Sequence, residues 1–208
     1  MDRYFTVKGL PGAFVLTCIM SFFAFLLAII IRTPDRWLCF AAMVFSSMGD
    51  VVLMNFKGIV NGIKFPSFYI GAALFIVAHI LYSVAFGTMI KSSGHTFFNT
   101  GVVLGILLFL SSFVYFLVMY KKSKGVPHAT LVMVVVYLLV ISTLCTIVFS
   151  HAFSSGGIGI ISALGALSFF VSDFFIGLGI LNTPNAPKLG ELIWWFYPIG
   201  QILLLIGG

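Results

Sequence analysis

Seven runs of about twenty apolar residues follow one another along this chain, each long enough to cross the hydrocarbon core of a bilayer. They lie at 11–31, 37–54, 67–87, 100–120, 127–150, 157–181 and 189–206. Polar connectors separate them: "RTPDR", "KGIVNGIKFP", "KSSGHTFFN", "KKSKG", "HAFSSGG" and "NTPNAPK". The runs are solidly apolar rather than alternating, so helices rather than barrel strands satisfy the backbone in lipid. Charged residues make up 8% of the 208 positions, against about a quarter in a soluble domain. The expected fold is an all-α, polytopic transmembrane bundle of seven helices, with residues 1–208 forming a single integral membrane domain.

A net charge of +6 raises the question of nucleic acid. The 11 basic residues are scattered over short connectors and make no continuous patch, so nucleic acid is excluded as a partner and the bilayer itself accounts for them. Arg3, Lys8, Lys57, Lys64, Lys121, Lys122, Lys124 and Lys188 fall on the N-terminal side of the expected membrane, and Arg32, Arg36 and Lys91 on the other. Eight against three places the N-terminus in the cytoplasm. Short connectors and compact length point to a bacterial inner membrane. The first run exceeds a signal-peptide core and lacks a small-residue cleavage pattern, so it reads as a helix. Cys18, Cys39 and Cys145 all fall within apolar runs and read as small core hydrophobes.

Against this background two carboxylates stand out. "FSSMGDVVLMNF" carries Asp50 in the second run, and "ALSFFVSDFFIGLGIL" carries Asp173 in the sixth. An Asp at the bilayer centre costs about 2.5–3.5 kcal/mol on insertion scales, so such residues default to function. Helices 2 and 6 run in the same direction, and both acids are expected in the cytoplasmic half, facing each other. Two carboxylates that close divide into an acid and a base. An internal repeat supports the pairing. "KGLPGAFVL" from Lys8 aligns with "KGVPHATLV" from Lys124, Asp50 aligns with Asp173, and His79 with Gln201. The expected organisation is two parallel three-helix units joined by helix 4.

Helical spacing then picks out neighbours. Ser46 and Ser47 precede Asp50 by one turn and share its face. Gly177, one turn beyond Asp173, is expected to leave room beside the carboxylate. His79 and Tyr82 share a face of helix 3, and Tyr197 and Gln201 a face of helix 7. Lys8 and Lys64 are placed to meet a lipid phosphate at the cytoplasmic surface. His95, His128 and His151 are assigned to connectors or helix ends, which leaves no histidine cluster for a metal. No nucleophile elbow, phosphate-binding loop or mid-helix Schiff-base lysine is present, so no cofactor is expected.

The motifs "MGDVVL", "HILY", "GALSFFVSDFFIGLG" and "YPIGQIL", in that order, resemble the lysoplasmalogenase-like, or YhhN-like, family of polytopic membrane proteins. The resemblance places the family's Gly-Asp element on Gly49–Asp50 and its Ser-Asp element on Ser172–Asp173. It places the His-x-x-Tyr element on His79 and Tyr82, the C-terminal element on Gly200–Gln201, and the lysine-proline element loosely on Lys8 and Pro11. Family members usually have eight helices, and this chain's first matches their second. What the resemblance implies is hydrolysis of the vinyl ether bond of a lysophospholipid, a lysoplasmalogen, without a metal. Asp50 and Asp173 would be the catalytic pair, with Lys8, His79, Tyr82, Ser172, Tyr197 and Gln201 binding the substrate. The rival reading is a small transporter or lipid-handling protein whose two aspartates relay protons.

Overall fold

The computed structural model describes residues 6–7, 10–53, 67–123, 125–181 and 186–208. Two two-residue strands, β1 (Thr6–Val7) and β2 (Leu10–Pro11), pair antiparallel at the start. Seven helices follow: α1 (Gly12–Ile31), α2 (Pro34–Leu53), α3 (Ser67–Ser92), α4 (Thr100–Lys122), α5 (His128–Ser155), α6 (Ile158–Ile180) and α7 (Ala186–Gly207). The helices α1 to α6 are each long and apolar enough to span a membrane, and the described apolar part of α7 is Trp195–Gly207. Large apolar side chains face outward, with Phe98 84% and Ile30 73% exposed, as suits a chain solvated by lipid. The chain is an integral membrane protein by this measure.

Helix ends differ from the sequence reading in several places, three of them for a clear local reason. The α2 helix begins at Pro34 rather than residue 37, because proline is pre-set for the first helical position. Thr33 donates to Asp35 across that start at 3.0 Å. The α3 helix runs on through Lys91 and stops where Gly94 takes a positive φ of 68°, with His95 N–H bonding back to the Ile90 carbonyl at 3.2 Å. The α5 helix includes "HAFSS", which holds nothing that breaks a helix, and ends at Gly156 and Gly157, both at positive φ. His151 is therefore a buried residue inside α5 and not part of a connector.

Contacts divide the chain into two compact units, Met1–Ala85 and Phe86–Gly208. In the first, α1 and α2 form an antiparallel hairpin tied at its far end by the rings of Phe25, Trp37 and Phe40. Here α2 meets α3 at Gly49, where an added Cβ would lie 2.7 Å from the Phe75 ring. Cys39 is buried, whereas Cys18 lies exposed on the outer face of α1, contrary to its reading as a core residue. Cys18 lines an apolar groove there with Phe14, Val15, Ile19 and Phe22.

In the second unit α4 lies on α5, α5 on α6 and α6 on α7. Glycines set the spacing: a Cβ on Gly101 would strike the Phe149 backbone, and one on Gly105 the Thr146 side chain. The loop before α4 is pinned to α5 by Asn99, whose Nδ2 donates to the Ser150 carbonyl and to Ser154 Oγ, both at 2.9 Å. Its Oδ1 accepts from Gly101 N–H and caps α4. Gly165 of α6 and Gly200 of α7 face each other, and Ser162 packs against Gly207. Cys145 is buried and donates its thiol toward the Ala166 carbonyl.

Candidate functional site

Asp50 belongs to the first unit and Asp173 to the second, and each is held by a hydroxyl from the helix before its own. Asp50 lies near the end of α2 and is half-buried. Thr17 of α1 stands 2.9 Å from Asp50 Oδ2 and 2.8 Å from Ser47 Oγ. Ser47 Oγ is 2.6 Å from Ser21 Oγ and 2.9 Å from the Met43 carbonyl. Thr17 and Ser21 are one turn apart on α1, and Ser47 and Asp50 one turn apart on α2, so four side chains on facing stripes make one polar strip in an apolar hairpin. Ser47, expected on the Asp50 face, is part of it. Ser46 is fully buried.

Asp173 is 8% exposed and accepts a hydrogen bond from the Tyr137 hydroxyl of α5 at 2.7 Å. Next to it in sequence, Phe174 packs edge to face on Phe116 of α4 at 4.9 Å. The space expected beside Gly177 is filled: a Cβ there would lie 2.6 Å from the tip of Phe116. Gly177 admits a ring rather than a ligand. Ser172 is fully buried, and its Oγ makes no hydrogen bond among the described residues, so the hydroxyl on Asp173 comes from α5 and not from its sequence neighbour. Tyr137 is expected to be a positioning residue. Its replacement by Phe takes one donor from the buried carboxylate and should lower stability by about 0.6–2 kcal/mol, the range for polar contacts between membrane helices. Unfolding of Tyr137→Phe in mixed detergent micelles would measure it, and an unchanged midpoint would show the bond to be idle.

The remaining expected site residues are placed as follows. His79 and Tyr82 are both fully buried on α3. The Tyr82 hydroxyl points to Met43 Sδ at 3.9 Å, seven residues and roughly 10 Å along α2 from Asp50. His79 packs beside the Phe75 ring at 6.4 Å, and its carbonyl accepts from Ser83 Oγ. On α7, the Tyr197 ring packs edge-on against Phe169 at 5.4 Å, one turn from Asp173 along α6. Gln201 is fully buried, next to the Gly200 that meets Gly165 and Phe169. That level is one to two turns, roughly 6–12 Å, along α6 from Asp173. Lys8 and Lys64 lie outside the described residues.

Tyr137, Thr17 and Ser21 were not singled out from sequence, although one signal was present. The alignment that pairs Lys8 with Lys124 also pairs Ser21 with Tyr137. Both are hydroxyls on the helix preceding an aspartate helix.

The arrangement accords with a sequence match along nearly the whole chain. The profile of the YhhN family covers residues 12–208. The chain belongs to the YhhN family. No curated protein and no solved structure matches it. In this YhhN protein the glycine of the Gly-Asp element serves packing, since Gly49 lets Phe75 lie against α2 immediately before Asp50. The C-terminal Gly-Gln element likewise has its glycine at the closest approach of α6 and α7.

Proposed function

We propose that this YhhN protein is a membrane-embedded hydrolase that cleaves the vinyl ether bond of lysoplasmalogens, with Asp50 and Asp173 as its acid/base pair. What supports the reading is the family match over residues 12–208, a lysoplasmalogenase family, joined to the presence of an aspartate held by a hydroxyl in each unit. One carboxylic acid delivers its proton to the vinyl carbon distal to oxygen, leaving an oxocarbenium-like centre on the other. The second carboxylate stabilises that charge and takes a proton from the water that adds to it. The resulting hemiacetal collapses to a fatty aldehyde and a glycerophospho-base. Glycosidases manage a similar cation with two carboxylates, so no metal is required. In this proposal His79, Tyr82, Ser172, Tyr197, Gln201 and Lys8 contribute to substrate binding, and the N-terminus is cytoplasmic in a bacterial inner membrane.

The purified protein in detergent is expected to release fatty aldehyde from lysoplasmenyl-ethanolamine. A protein that releases none in detergent, but moves protons or lipid across sealed vesicles, would instead be the carrier that buried acids in a helical repeat also suit.

A further inference from the structure

Two adjacent phenylalanines stand in a connector that is otherwise polar. Between α3 and α4 the chain reads "SGHTFFN", and its Phe98 is 84% exposed, more than any other large apolar side chain among the described residues. Phe97 beside it is 37% exposed, and the two rings pack edge to face at 5.4 Å. A phenylalanine left in water forgoes about 1.5–3 kcal/mol that burial would give.

Hydrogen bonds hold the loop on either side of these rings. Asn99 Nδ2 donates to the Ser150 carbonyl and to Ser154 Oγ of α5. Ser154 Oγ donates in turn to the Thr96 carbonyl at 3.1 Å, and Ser150 Oγ to the Phe97 carbonyl. His95 N–H closes the end of α3 on the Ile90 carbonyl. The backbone that carries the rings is thus tied to α5, and the fold itself directs Phe98 outward.

Position and charge select the occupant. Phe98 stands two residues before Thr100, where α4 begins, and α4 is long and apolar enough to span a membrane. Two residues of chain reach at most about 7 Å. That distance matches the headgroup zone, roughly 5–8 Å deep on each side of the hydrocarbon. Lys91 and His95 are exposed on the same stretch, and no Asp or Glu occurs anywhere between Asp50 and Asp173. A surface with basic groups and protruding rings but no acid complements lipid phosphates lying above acyl chains. A protein partner would have to displace the bilayer already present at that level.

We propose that residues 91–99 are an interfacial anchor for phospholipid, in which Phe97 and Phe98 sit at the boundary of headgroups and acyl chains and Lys91 and His95 meet the phosphates. The inserted rings fix how deep this end of the second unit lies in its leaflet. The loop is tied to Ser150 of α5, and Tyr137 of the same helix holds Asp173. The anchor therefore also sets the depth of that carboxylate, roughly 20 Å away along α5. None of this depends on the hydrolase reading.

Spin labelling of the full chain in vesicles of phosphatidylcholine and phosphatidylglycerol tests it. Cys18→Ala removes the exposed thiol, Cys39 and Cys145 are buried, and Phe98→Cys then takes the label. Collisions with lipid-soluble oxygen are expected to dominate over those with a water-soluble nickel complex. The bias should be weaker than for a label at Val103→Cys, which lies one turn into α4 and is 56% exposed. A label at position 98 as open to the nickel complex as a free aqueous label overturns the anchor and leaves the rings to a protein partner. Replacing phosphatidylglycerol with phosphatidylcholine should shift the label toward water, and Lys91→Gln with His95→Gln should abolish that shift. A shift of full size in the double variant would remove the phosphate contacts.

Discussion

Replacing Asp173 with Asn is expected to slow vinyl ether hydrolysis by about 10²–10⁴-fold, the contribution usual for a positioned acid or base. The change is nearly isosteric, and the amide oxygen still accepts from Tyr137, which approaches Asp173 at 2.7 Å. The aromatic packing of Phe116 and Phe174 is untouched. The fold should therefore survive while the charge is lost, so that kcat falls and the unfolding midpoint does not. Asp50→Asn is expected to lose a similar factor, because an amide can accept from Thr17 but can neither give nor take the proton. Rates for both variants should be read beside unfolding curves. A folded Asp173→Asn enzyme with full activity would take that residue out of the chemistry, and the same result at Asp50 would end the two-carboxylate mechanism.

Gly200→Leu is expected to abolish the folded second unit. A Cβ at Gly200 would stand 2.7 Å from the Phe169 backbone nitrogen and 3.0 Å from the Gly165 carbonyl oxygen. Backbone cannot step aside as a flexible side chain can, so α6 and α7 must separate over the segment that buries Leu204 and Gln201. Overpacking costs about 1–3 kcal/mol even where side chains can shift, and here the obstacle is the facing helix itself. Gly179 provides the contrast, since a Cβ there meets nothing within 4 Å. Gly179→Ala should be neutral or stabilising by about 0.5–1 kcal/mol, since Ala is the better helix former. Monodispersity in detergent and thermal unfolding would separate the two. A folded Gly200→Leu protein of wild-type stability would mean that close helix approach is not what its glycine secures.

The seven helices, the membrane as solvent and the two aspartate positions were legible in the sequence, because apolar length and the cost of a charge in lipid are one-dimensional properties. Helix ends were read less closely, even beside Pro34 and Gly94. They were missed where a polar stretch such as "HAFSS" stays helical up to Gly156. Rotation about each helix was less legible. In water the apolar stripe shows which face is buried, but in lipid both faces are apolar and the stripe disappears. For that reason Tyr137 in "VVVYLLV" looked like any other residue of a spanning helix, although its hydroxyl reaches Asp173.

The same loss of facing explains the glycines and the expected substrate-binding residues. Spacing put Gly177 beside Asp173 correctly, but only the fold supplies Phe116 from α4 to fill the space. Spacing also put His79 and Tyr82 on one face, and only the fold brings the Tyr82 hydroxyl to Met43 of α2. The sequence by itself determined that this chain is a helical membrane protein of the YhhN kind with an acid in each half. Which hydroxyls hold those acids, and which glycines are occupied by rings or by backbone, was decided only when antiparallel helices came into register, because those contacts join residues on different helices.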